Sequence, residues 1–78
     1  MPRIKGIPGP YRVFFTSFDC NEPPHVHVER EKSTAKFWLN RLELARSHGF
    51  SAQELNAIRR LINVRRAAIL EAWHEHCG

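Results

Sequence analysis

Apolar and polar residues alternate along the first half of the chain and then change period. Tyr11-Arg12-Val13-Phe14-Phe15-Thr16 is rich in aromatic and β-branched residues and predicts a first strand. Ser17 to Pro24 holds Asp19, Asn21 and two prolines, which is turn chemistry. His25-Val26-His27-Val28-Glu29 alternates strictly and predicts a second strand. A polar connection through Glu31-Lys32-Ser33 leads to a third strand over Thr34-Ala35-Lys36-Phe37-Trp38-Leu39. With connections this short, the strands are expected to form an antiparallel meander.

Residues 40–49 admit two readings. The preferred one is a short helix over 41–48, with Asn40 and Glu43 as a capping box and Gly49 as its stop. The other is a fourth strand through Leu42 and Leu44. From residue 52 the period becomes helical. Ser51-Ala52-Gln53-Glu54 matches a capping box, and Phe50 and Leu55 stand where a hydrophobic staple would place them. Leu55, Ile58, Ile62, Ile69 and Trp73 fall on one stripe, which predicts one long amphipathic helix over about 52–76. The expected fold is therefore α+β: a three- to four-stranded antiparallel sheet packed against one long C-terminal helix. Upstream, Gly6-Ile7-Pro8-Gly9-Pro10 is expected to break regular structure.

At 78 residues the chain has room for one small domain spanning 1–78, and at 42% hydrophobic residues it has enough apolar side chains for a core. No apolar run approaches the roughly 18 residues that cross a bilayer. Met1-Pro2-Arg3-Ile4-Lys5 has no apolar stretch after it, so no export signal is expected and a cytoplasmic setting follows. In that setting Cys20 and Cys77 are expected to stay reduced. Twelve Lys and Arg against eight Asp and Glu give a net charge of +4, which favours contact with nucleic acid or an acidic protein.

Candidate chemistry centres on β-strand alternation. His25, His27 and Glu29 share a face of the second strand, while Val26 and Val28 point to the core. Two imidazoles near neutrality can give and take protons, so one is expected as general base and the other as general acid. Lys36 or Arg66 would stabilise charge on a phosphorane. Arg30, Lys32, Arg59 and Arg66 are candidate phosphate contacts and Trp38 a candidate stacking surface. Together these are the parts of a metal-independent ribonuclease. A metal reading would draw on Cys20, His25 and His27 with His74, His76 and Cys77, but the set lacks the paired spacing of a zinc finger. No metal or cofactor is expected.

Glu22-Pro23-Pro24-His25-Val26-His27-Val28, Ala35-Lys36-Phe37-Trp38-Leu39, Glu43-Leu44-Ala45, Gly49-Phe50-Ser51 and a helix ending in Trp73 resemble, over nearly the whole chain, the small bacterial proteins grouped as domain of unknown function 4160. Such proteins are typically encoded beside a second small protein. The resemblance thus implies one half of a toxin–antitoxin pair, with a cognate partner protein, and it carries Glu22, His25, His27, Lys36 and Trp38 as motif positions. The expected role is a toxin acting on RNA. The alternatives are a non-catalytic module or antitoxin docking a small acidic partner, and a metal-binding protein. A homodimer through a sheet edge is a further expected association. Cys20 and the tail His74-Glu75-His76-Cys77 depart from the family pattern.

Overall fold

A computed structural model describes residues 10–16 and 19–77. Residues 6–9 of the expected breaker over 6–10, and Ser17 and Phe18 of the expected turn, lie outside the described residues. Four strands, β1 (Arg12–Phe14), β2 (His25–Arg30), β3 (Ser33–Trp38) and β4 (Leu44–His48), form one antiparallel sheet in the order β1-β2-β3-β4. Two helices follow, α1 (Ala52–Val64) and α2 (Arg66–Cys77). A 3-10 turn over Asp19–Asn21 links β1 to β2.

Alternation sorts the side chains of the sheet. Val13 and Phe15, Val26 and Val28, and Ala35, Phe37 and Leu39 turn to one face, where they join Ile58 and Ile62 of α1 and Ile69 and Trp73 of α2 in the core. Paired residues share a face, so the other side carries a row running through all four strands: Phe14 opposite His27, His27 opposite Lys36, Lys36 opposite Arg46. The helical core lies on the first face, and on the second His25 also meets Trp73 of α2.

Two expectations about secondary structure are corrected. Residues 44–48 are the fourth strand and not a short helix. All five are exposed, because β4 is an edge strand with little to bury. Gly49 ends it at φ 91°, and a Cβ there would meet Ser33 Oγ at 2.6 Å. The long helix is two helices that break at Arg65, whose φ of −106° and ψ of 12° leave the helical range. An unbroken helix over 52–76 would be about 37 Å long, whereas the longest dimension of the described residues is 34 Å. The break lets both halves lay their apolar residues on the sheet.

Ser51 caps α1 as the sequence implies, its Oγ accepting from Glu54 N–H at 3.1 Å. Glu54 does not complete the reciprocal box. Its carboxylate instead accepts from Tyr11 Oη at 2.9 Å and takes both guanidinium nitrogens of Arg30, at 2.6 and 2.9 Å. That network ties α1 to the start of β1 and the end of β2. The expectation that both cysteines stay reduced is also corrected, because Cys20 and Cys77 form a disulfide.

Candidate functional site

The site is assembled where the 3-10 turn crosses the N-terminal end of β2. Asp19 is buried in that turn, and its Oδ2 accepts from the Thr16 backbone N–H at 2.6 Å. His27 Nε2 lies 3.0 Å from Oδ2 and 3.2 Å from Oδ1 of the same carboxylate. Burial pushes the Asp19 carboxyl up, but the Thr16 N–H and the His27 ring outweigh it and bring the pKa down to about 2. Asp19 is therefore a carboxylate at neutral pH, and a neutral His27 must donate Nε2–H to it. Nδ1 is then the ring nitrogen with the free lone pair. Phe14 stacks on the His27 ring, with centroids 5.4 Å apart, and fixes its plane.

His25 is placed differently. Its side chain is fully buried, edge-on to His27 and Trp38 and tilted against Trp73. Nδ1 lies 2.9 Å from the Pro23 carbonyl, which can only accept, so Nδ1 carries a hydrogen. Nε2 lies 3.1 Å from Asp19 Oδ1 and 3.7 Å from Glu22 Oε1, yet is not aligned for a hydrogen bond with either. The expected division of base and acid between His25 and His27 is corrected on this point: a fully buried ring cannot reach a substrate proton.

Lys36 stands beside His27 in register on β3. It is buried for a lysine, its Nζ bound to Glu22 Oε1 at 2.7 Å and lying 4.5 Å from the Trp38 ring centroid. The Lys36 ammonium holds the Glu22 carboxyl below its usual range. A cleft of about 240 Å³ opens alongside, lined by Phe14, His27, Glu29, Thr34, Lys36 and Arg46 among others. Glu29 shares the face but is engaged by Arg12 across β1 at 2.5 Å.

The sheet thus brings together His25, His27, Glu29, Lys36 and Trp38. It does not bring the expected arginines to them. Arg30 points to the helix side and is committed to Glu54, with Tyr11 and Phe50 beneath its guanidinium. Lys32 sits exposed in the β2–β3 turn. Arg59 donates to Asn56 on α1, and Arg66 donates to the Asn40 carbonyl. Both belong to helices packed on the opposite face. His76 Nε2 donates to the Thr16 carbonyl at 3.2 Å and stacks on Phe15, while His74 is exposed.

Sequence reasoning missed Asp19 and Arg46 as site residues. Asp19 reads as a turn former, and only the tertiary placement of the turn turns its carboxylate toward the histidines. Arg46 belongs to the strand whose identity the sequence left open.

A family model described as Domain of unknown function (DUF4160) matches residues 11–74. The chain belongs to that family. No curated protein and no solved structure matches it. The DUF4160 match takes in all four strands, the 3-10 turn and α1, and ends in the last turns of α2, so Asp19, Glu22, His25, His27, Lys36, Trp38 and Arg46 all lie within it. His76 and Cys77 fall beyond it. No helix among the described residues is long and apolar enough to cross a membrane.

Proposed function

We propose that this DUF4160 protein is the toxin half of a small bacterial toxin–antitoxin pair and that it cleaves RNA without a metal. The observation that carries this reading is the Asp19–His27 pair beside a cleft lined by His27, Lys36 and Arg46 on the sheet face opposite the helical core. Asp19 accepts from His27 Nε2–H and so presents Nδ1 as a base. Nδ1 takes the proton of a ribose 2′-hydroxyl, and the 2′-oxygen attacks the adjacent phosphorus. The P–O5′ bond breaks, leaving a 2′,3′-cyclic phosphate, and a water on the open side protonates the departing O5′. Lys36 and Arg46 stabilise the charge that builds on the phosphorane oxygens. His25 takes no proton in this scheme and positions the His27 ring by its edge-on contact. A small acidic partner protein completes the proposal.

The fully exposed edge strand β4, with Leu44 43% exposed and Arg46 beside it, favours a second reading. Such an edge can accept a strand from an acidic partner protein or from a second copy, making the chain a binding module or antitoxin.

Inducing the chain alone in a bacterial host, beside the His27→Ala variant, separates the two. Growth arrest with RNA fragmentation by the parent only is the expected result. Normal growth and intact RNA at confirmed soluble expression would overturn the toxin assignment in favour of the binding module. Cleavage that survives His27→Ala would overturn the catalytic one.

A further inference from the structure

We infer that Asp19, His25 and His27 form a binding site for one divalent transition-metal ion of the zinc class. Their ligand atoms lie within 4.8 Å of one another, and all three residues are buried or half-buried. Around one tetrahedral zinc ion, nitrogen and oxygen ligands at about 2.0–2.2 Å stand roughly 3.3–3.6 Å apart. Asp19 Oδ1 is 3.1 Å from His25 Nε2 and 3.2 Å from His27 Nε2, so each imidazole needs to move only a few tenths of an ångström to reach that spacing.

The state of His25 gives the independent reason. Its Nδ1–H is committed to the Pro23 carbonyl, and its Nε2 lies 3.1 Å from Asp19 Oδ1 without being aligned for a hydrogen bond to it. That nitrogen is buried and has no hydrogen-bond partner. A metal ion seated there would take up the unpartnered Nε2 and the Asp19 carboxylate together and recruit His27 as well. A histidine whose far nitrogen donates to a backbone carbonyl is the usual arrangement of a metal ligand, because that bond fixes the tautomer and the ring plane.

The donor set fits zinc, nickel or ferrous iron better than magnesium or calcium, which prefer oxygen. Glu22 Oε1, 3.7 Å from His25 Nε2, is placed to supply a fourth ligand once released by Lys36. The disulfide keeps the neighbouring thiols of Cys20 and Cys77 out of the set.

Metal binding here does not depend on the RNA chemistry proposed above, but its effect on that chemistry does. With a metal on Nε2, a neutral His27 must carry its hydrogen on Nδ1, and the proposed base loses its lone pair. The ion would then act as an inhibitor.

The test is a titration of tag-free, chelator-treated, oxidised protein with Zn²⁺ in competition with a chromophoric chelator. The expected result is one equivalent bound with a dissociation constant in the micromolar range or below, undisturbed by millimolar Mg²⁺. His27→Gln and Asp19→Asn should each weaken binding at least tenfold, and His76→Ala should leave it unchanged. His27 is half-open, so His27→Gln keeps the test usable even where a His25 variant fails to fold. No saturable binding, binding unaffected by both site variants, or binding lost with His76→Ala alone would overturn the site. Occupancy is read without reference to RNA. Cleavage, measured separately, should fall at least tenfold at full occupancy, and unchanged cleavage would overturn the capping of Nδ1.

Discussion

Cys20, the neighbour of Asp19 in the 3-10 turn, is bonded to Cys77 at the end of α2, 57 residues further on. The bond fastens the segment that delivers the Asp19 carboxylate to the last turn of the last helix. Closing a loop of this size lowers the entropy of the unfolded chain by an amount equivalent to about 4 kcal/mol. For so small a domain that is a large share of its total stability. Reduction, or the Cys20→Ser/Cys77→Ser variant, should therefore lower the urea midpoint markedly, with a loss of about 2–4 kcal/mol. An unchanged midpoint with and without reductant would show that the turn is held without the disulfide.

The parts of this fold that were legible in the sequence are those in which each residue's role repeats locally. Val26 and Val28 alternate with His25 and His27, and that pattern alone fixes β2 and its two faces. Ser51 announces α1 in the same way. Leu44-Ala45-Arg46-Ser47-His48 carries no such pattern, because an edge strand buries almost nothing. The break at Arg65 has no proline or glycine to mark it and follows from the size of the sheet underneath. Asp19, Cys20 and Cys77 were illegible for a different reason. Their roles exist only once the turn and the end of α2 are brought together, and nothing in their local sequence encodes that meeting.

Asp19 makes stability depend on acid in a defined window. Its carboxyl titrates near 2 in the folded protein, where burial pushes it up but the Thr16 N–H and the His27 ring hold it down, and near 4 in an unfolded chain. The unfolded state therefore binds the proton first as pH falls. The stabilisation is fully present above about pH 4 and is lost between about pH 4 and pH 2. After allowance for solvent screening at the edge of the sheet, the loss is about 1–2 kcal/mol. Urea midpoints measured from pH 5 to pH 2 should fall more steeply for the parent than for Asp19→Asn. Parallel curves would mean that the carboxylate gains nothing from its partners.

Arg30 is a cation that the fold uses and the proposed chemistry does not. Its fork on Glu54 joins β2 to α1, and Tyr11 donates to the same carboxylate. Burial, and then the hydrogen bond to Glu54, raise the Tyr11 pKa above 10. Removing the guanidinium leaves a part-buried carboxylate with one donor. Arg30→Ala should cost about 1–2 kcal/mol of stability while leaving RNA cleavage per folded molecule unchanged. Denaturation and single-turnover cleavage on the same preparation would check both halves. Lost cleavage at full folding would return Arg30 to the site.

Lys36 is the reverse case. It is buried between Glu22 and the Trp38 ring and stands next to His27 in the cleft. A methionine there would keep the aliphatic stem and its contact with Trp38, and would remove only the charge. If the ammonium stabilises the phosphorane, Lys36→Met should lower RNA cleavage by about a hundredfold with the substrate's KM little changed. Its melting temperature should stay close to that of the parent, since Glu22 is half-exposed and can turn to water. Glu22→Gln should keep most of the activity, because the amide oxygen can still hold Nζ in place. A larger loss from Glu22→Gln than from Lys36→Met would reassign the chemistry to the carboxylate and make the lysine its anchor.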